Sequence, residues 1–379
     1  MNCPYFMGGY RIKEKKMKID IHFHLSGSGK DIDKVDEDVY FYPDDNNLFF
    51  TRVLYNLVTE DLIRMETDIN RDGQISTEEY LALCYRILTS SEELDGLVLL
   101  GLDAVYNPKT GDLDRERTDL WVSNRFLAKT VRVLNERLGK ESDPVKKAKR
   151  FFYGASVSPN RKDWEKELDC VCNDPNAVLM KLIPSTQHIK LMDYNHTHFY
   201  ETLAKNKMPL LCHVGPEYSF PEGIRKRHLD NFRHLERPLE CGVTVIAAHC
   251  ATPVFPIIDK NESKEFYALM KEANSGGKIR LLGDTSAFSL STRIPIVHEI
   301  LDTFPSRWLV HGSDFPIPID GWAHLPYVTS DVDVGEFIEI HKTTNPLDKD
   351  VRIKRAHGFS DSILENTEKI LRIQPPPPA

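Results

Sequence analysis

Two periods of hydrophobic placement alternate along most of this chain. Short, largely apolar runs occur at 97–102, 151–157, 177–184, 209–213, 243–249, 279–284 and 308–314. Such runs are expected of strands covered on both faces. Between them, 120–138, 164–172, 198–207, 229–241, 264–274 and 296–304 repeat apolar residues at helical spacing. An earlier run at 19–25 opens the series, so eight strand candidates are each followed by helical material. This alternation predicts an α/β chain folded as a (β/α)8 TIM barrel rather than an open sheet.

The first unit is swollen. Residues 26–95 stand where a short loop and one helix would suffice, and their apolar spacing predicts helices over 48–66 and 80–88. The expected organisation is a lead-in at 1–18, a barrel formed by 19–25 and 96–319, and a helical insertion at 26–95. A C-terminal part at 320–379 would hold a polar loop, a helix near 361–371 and a proline run at 375–378 expected to be disordered.

Composition narrows the function classes. Hydrophobic content of 41% with 28% charged residues is that of a soluble globular protein. A net charge of −8 with no basic block argues against nucleic-acid binding. No apolar run approaches a membrane span, and the first ten residues lack the apolar core of a secretory signal. Seven scattered cysteines, an odd number, are read as reduced thiols in a cytoplasmic protein. Cys212 and Cys250 each sit beside a histidine of interest, and each is read as a small buried hydrophobe before a reactive thiol. The expected partner is a small molecule, with a homo-oligomer left open.

Strand ends carry the chemistry. Alternation along 19–25 predicts His22 and His24 on one face with Asp20, and Ile19, Ile21, Phe23 and Leu25 on the other. Two imidazoles on one face make half of a metal site. In barrels of this type function gathers at the C-terminal strand ends. Those ends carry Lys181 on the fourth strand, His213 on the fifth, His249 on the sixth and Asp314 on the eighth. One such histidine alone is more often structural; four with an aspartate form a transition-metal ligand set.

The segments Asp-Ile-His-Phe-His, Leu-Cys-His-Val-Gly, Ala-Ala-His-Cys and His-Gly-Ser-Asp-Phe-Pro resemble the amidohydrolase superfamily. Gly-Ser-Asp-Phe-Pro is similar to the amidohydrolase-related branch that includes aminocarboxymuconate-semialdehyde decarboxylase. Met-Lys-Leu-Ile-Pro around Lys181 resembles the dihydroorotase segment whose lysine is carboxylated. The resemblance then implies one metal on His22, His24 and Asp314, a second on His213 and His249, and a carbamate of Lys181 on both. With Lys181 unmodified it implies one metal on His22, His24, His213 and Asp314, with His249 as acid/base or oxyanion stabiliser. The ion would be zinc or another divalent transition metal, which acidifies water to a pKa of about 7 and polarises a carbonyl. Asp314 would take the proton of the attacking water and pass it to the leaving group. The implied activity is hydrolysis of an amide, lactam, ester or lactone. Decarboxylation or hydration of an unsaturated carboxylic acid at a one-metal site is the alternative, and an inactive calcium-responsive binding protein is a third reading.

Candidate substrate contacts are Glu217, Tyr218, Arg225 and Arg227 after the fifth strand and Arg293 after the seventh. An arginine there could clamp a substrate carboxylate bidentately. Asp284, Thr285 and Ser286 are candidates to contact substrate or to orient a ligand histidine. Residues 68–79 resemble an EF-hand loop. Asp68, Asn70 and Asp72 stand at the oxygen-ligand positions, Gly73 at the turn, and Gln74 at the carbonyl position. Ser76 stands at the water-mediated position and Glu79 at the bidentate position. Calcium is therefore expected in the insertion, ordering it as a wall or lid beside His22 and His24.

Overall fold

The computed structural model describes residues 16–41, 49–65, 67–68, 71, 73–329 and 331–373. Eight parallel strands form one sheet in sequence order: β1 (Ile19–His24), β2 (Gly96–Leu100), β3 (Arg150–Ala155), β4 (Ala177–Leu182), β5 (Leu210–Cys212), β6 (Val245–Ala247), β7 (Leu281–Asp284) and β8 (Leu309–Val310). The sheet curls until its outer strands meet. Ile21 N donates to the His311 carbonyl (3.3 Å), His24 N to Phe315 (2.9 Å) and Asp314 N to the His22 carbonyl (2.8 Å). The result is TIM-barrel-like, with helices outside the strands.

The enclosed core draws on every strand. Ile21, Val98, Phe152, Val178, Leu211, Ile246, Leu282 and Val310 pack together with Leu371, which follows the last helix. A larger cluster fills the layer between sheet and helices. One departure from strict alternation lies in β1. Asp20 pairs with Leu97 and Phe23 with Leu99, so β1 uses one more residue than β2. This bulge reverses the facing of the residues after it. Ile19 and Ile21 therefore join the enclosed core, while Phe23 and Leu25 join the outer layer, and the expected common face for all four does not form.

The insertion supplies α1 (Phe49–Arg64) and α2 (Thr77–Ser90). Ser76 caps α2, and Glu79 reaches back to Ser76 N (2.9 Å). Tyr80 from α2 donates to the His24 carbonyl (2.8 Å), which fastens the insertion to the end of β1.

Other elements differ from the spacing-based expectation. The helix expected from 120 starts at Asn124, because Leu120–Trp121 pair antiparallel with Tyr40–Phe41 of the insertion and Ser123 caps the helix. The segment 229–241 is broken into helical turns at Arg227–Asp230, Phe232–Leu235 and Glu236–Glu240, with extended Asn231 capping the second. Two helices, Val334–Lys342 and Pro346–His357, occupy the stretch that the apolar spacing assigns to loop. Their caps, Asp333 and Asn345 followed by Pro346, are readable start signals. The proline run at 375–378 and most of the lead-in lie outside the described residues. Among those described, no helix is long and apolar enough to cross a membrane.

Helix Pro346–His357 is built into the barrel. Buried Lys354 donates to the Gly312 carbonyl (2.7 Å) and pairs with Asp350 (2.6 Å), and Asp350 accepts from Ser289 Oγ (2.6 Å). Gly312 has a steric role, since a Cβ there would stand 2.6 Å from the Cβ of His22.

The same helix ends in buried His357, whose Nε2 lies 2.7 Å from His324 Nδ1, while His324 Nε2 meets the Ser289 carbonyl at 3.0 Å. Burial, then the neighbouring imidazoles of His324 and His298, pull His357 from 6.5 to about 3. Between those values the unfolded chain binds more protons than the folded one. The stability held by neutral His357 is thus complete above pH 6.5 and lost as pH falls toward 3. Urea midpoints should decline across that window, and His357→Gln should flatten the decline; an unchanged slope would rule this pair out as its source.

Candidate metal centre

The strand ends meet around one point. His22 and His24 close β1, Lys181 lies near the end of β4, and His213 follows β5 directly. His249 stands two residues past β6, in a turn where His249, Cys250 and Ala251 all have positive φ (57°, 52° and 54°). Asp284 ends β7, and Asp314 follows β8 with φ 68°. Non-glycine residues in this conformation carry strain of about 1–3 kcal/mol each, which the surrounding structure must offset. Here main-chain bonds hold them: Asp314 N to the His22 carbonyl, Ser313 N to Asp20 Oδ1 (3.0 Å) and His249 N to Asp284 Oδ1 (2.8 Å).

The histidine nitrogens are sorted by their partners. His22 Nδ1 lies 2.7 Å from Asp284 Oδ2, which leaves Nε2 as a lone pair pointing inward. That Nε2 is 3.1 Å from His24 Nε2 and 3.3 Å from Asp314 Oδ1, and His24 Nε2 is 3.2 Å from the same oxygen. Ligands at about 2.1 Å from a zinc ion stand about 3.4 Å apart in a tetrahedron. In the His24 tautomer that leaves Nε2 unprotonated, these three atoms fit a divalent cation between them. His249 Nδ1 meets Ser286 Oγ at 2.7 Å and lies 4.0 Å from Asp314 Oδ2, so His22, His249 and Asp314 also form a compact group of metal-ligand type. His213 Nε2 is buried without a hydrogen-bond partner, 3.7 Å from Glu217. Lys181 Nζ is 2.9 Å from His22 Nε2.

Electrostatics follow from burial and charge. Burial raises the Asp284 carboxyl, but His22 overrides it and holds the group well below the usual carboxylate range. Asp314 behaves the same way, with His249 and His22 outweighing burial. Burial pulls His213 down to about 4 and drives the Lys181 ammonium toward the neutral amine. Cys212 and Cys250 are buried with thiols pushed up by that burial, consistent with small hydrophobes.

Of these groups, His24, His213, His249 and Asp314 line a cavity of about 480 Å³, within the range of small-molecule sites, while His22, Lys181 and Asp284 are buried behind them. Glu217, Tyr218 and Arg293 line it as well. Arg293 is buried there, with Nη1 donating to Thr252 Oγ1 (3.2 Å) and Nε without a partner. Arg225 is not among the lining residues; its mostly exposed side chain pairs with Glu222. Arg227 stacks over the Tyr218 ring at 4.0 Å and donates to the Glu217 carbonyl (3.2 Å). Thr252 is not among the sequence candidates; its only signal is its position three residues after His249.

In the acidic loop, Asp68 Oδ2 accepts from Gly73 N (2.9 Å), and Gly73 turns the chain at φ 75°. Gln74 lines the cavity, and Glu79 bonds Ser76. Asn70 and Asp72 lie outside the described residues.

A family model described as amidohydrolase matches residues 110–352. No curated protein sequence matches the chain. Among solved structures, an uncharacterized TIM-barrel protein from Bordetella bronchiseptica aligns with a TM-score of 0.51 at 12% identity, over 92% of this chain and 98% of that one. A probable 2-pyrone-4,6-dicarboxylic acid hydrolase from Acinetobacter baumannii aligns at 0.45 and 12% identity, over 90% and 99%. IDCase from Metarhizium anisopliae aligns at 0.44 and 11% identity, over 93% and 98%.

Asp284 orients His22 through its side chain and His249 through its main chain. Asp284→Asn should therefore weaken divalent-metal binding by about 10–100-fold in a chelator competition, the usual cost of losing such a partner. An unchanged affinity would mean that His22 is not a ligand.

Proposed function

The chain belongs to the amidohydrolase family of enzymes, and we propose that it is a zinc-type metal-dependent hydrolase cleaving an amide, lactam, ester or lactone in a small carboxylate substrate. The observation that carries this reading is the convergence of His22 Nε2, His24 Nε2 and Asp314 Oδ1 within 3.1–3.3 Å of one another, beside a cavity that His24 and Asp314 line. His22, His24 and Asp314 would hold one ion, and His213 and His249 a second. When bound, a divalent ion supplies Lewis acidity, which acidifies water and polarises a carbonyl.

Lys181 bears on the metal count. Its side chain is buried and makes no ion pair among the described residues, and burial favours the neutral amine. A neutral amine is the form that adds carbon dioxide, giving a carbamate anion and a proton. That supports Lys181 as the bridging ligand of a two-metal site. Asp314 is held ionised by its imidazole neighbours, so it can accept a proton at Oδ2 and return it to a leaving group. The unpartnered Nε of Arg293 is available to a substrate carboxylate.

A one-metal decarboxylase or hydratase is the second reading. It is favoured by the Ser286 bond to His249, which sets that imidazole beside Asp314 as a candidate acid/base, with burial favouring its neutral form. Elemental analysis separates the two. Two transition-metal equivalents, one of them lost in Lys181→Ala, support the hydrolase; a single equivalent indifferent to Lys181 supports the alternative; none overturns both.

Calcium in the 68–79 loop is a further part of the proposal. The Asp68–Gly73 bond and the left-handed turn at Gly73 support a loop poised to gather oxygen ligands. Calorimetric titration of full-length protein should find one calcium equivalent, absent in Asp72→Ala. Wild-type protein that takes up no calcium would exclude an EF-hand.

A further inference from the structure

The cavity has two chemically different ends. Its floor carries His24, His213, His249, Asp314 and Arg293, whereas the insertion contributes apolar Phe41, Val58, Leu62 and Ile75 along with Ser26, Ser28, Thr59 and Gln74. Val58 and Leu62 are one helical turn apart on α1, and among the described residues of that helix they line the cavity together with Thr59. Leu57 and Ile63, beside them on the helix, are 49% and 39% exposed, whereas Leu62 and Val58 pack with the outer core as well as lining the cavity. Lys30 is the charged side chain that the insertion adds to the lining. The wall above the floor is mostly apolar, so a short polar substrate would leave much of it without a partner.

We infer that the insertion is a specificity wall: Val58, Leu62 and Ile75 recognise the apolar body of an amphiphilic substrate whose polar end meets the floor. The polar half rests on the proposed hydrolase function; the apolar half rests only on the lining of the cavity. The insertion shares this role with apolar residues of the barrel loops, among them Leu120, Ile183, Phe220 and Leu290. The substrate class narrows to carboxylates, or related carbonyl compounds, that carry a ring or chain of several carbons.

The test uses full-length, metal-loaded protein and straight-chain monocarboxylates from butanoate to octanoate as probes, with binding read by calorimetry. In the wild type, affinity should rise about fourfold for each methylene beyond the shortest that binds, the gain for a fully buried CH₂. Val58→Ser and Ile75→Ser, both at partly exposed positions, should cut that gain below about twofold while leaving butanoate affinity unchanged, which also reports that the variants fold. Arg293→Met should weaken every chain length by the same factor. A length dependence identical in wild type and both wall variants would overturn the inference. Alkanols of the same lengths separate it from the proposed function: if the floor does not bind carboxylates, acids lose their advantage over alkanols, but the length dependence and its loss in the wall variants persist.

Discussion

The Asp284 carboxylate ties together the ends of three strands. It receives His22 Nδ1 from β1, the His249 main-chain N–H from beyond β6, and the N–H and hydroxyl of Ser286 just past β7. Each bond removes a degree of freedom from a potential ligand. His22 is locked in the tautomer that turns its lone pair inward, and the left-handed turn at His249 is held by a charge-assisted bond. The group is fully buried and His22 favours its ionised form, so its desolvation must be offset by these donors.

A second constraint acts on the opposite side of the centre. Asp314 reaches the site only because the sheet curls fully, and the seam between β1 and β8 is made by main-chain bonds on both sides of it. Gly312 permits the close approach to His22, and Lys354, from a helix beyond the repeat, grips the Gly312 carbonyl. The C-terminal helices are thus coupled to the geometry of a strand end hundreds of residues away in sequence from β1. A buried Lys–Asp pair is a costly way to hold a loop, but removing one partner would leave the other unpaired. The strained φ of Asp314 persists because these contacts over-determine it.

The insertion and the barrel loops share the lining of the cavity, while the floor is made from residues at the strand ends. Ile75 lies between the acidic turn and α2, and the Ser76–Glu79 cap fixes where that helix begins. Order in the 68–79 loop and the shape of the cavity are therefore linked through adjacent residues.

The eight strand–helix units, and the positions of His22, His24, Lys181, His213, His249 and Asp314 at strand ends, are legible in the chain alone. Period-two and period-3.6 placement of apolar residues is local, so it survives without any knowledge of closure. Local pattern could not foresee the bulge in β1, because an extra residue is defined only against the neighbouring strand. Nor could it separate Arg293, drawn into the cavity, from Arg225, left in solvent on Glu222. It did not assign cavity-lining roles to Val58, Leu62 and Ile75, which read simply as the apolar side of a helix and a loop residue before the next. Those assignments depend on which surfaces face each other once the outer strands meet, and long-range closure of the barrel settles that where local sequence carries no trace of it.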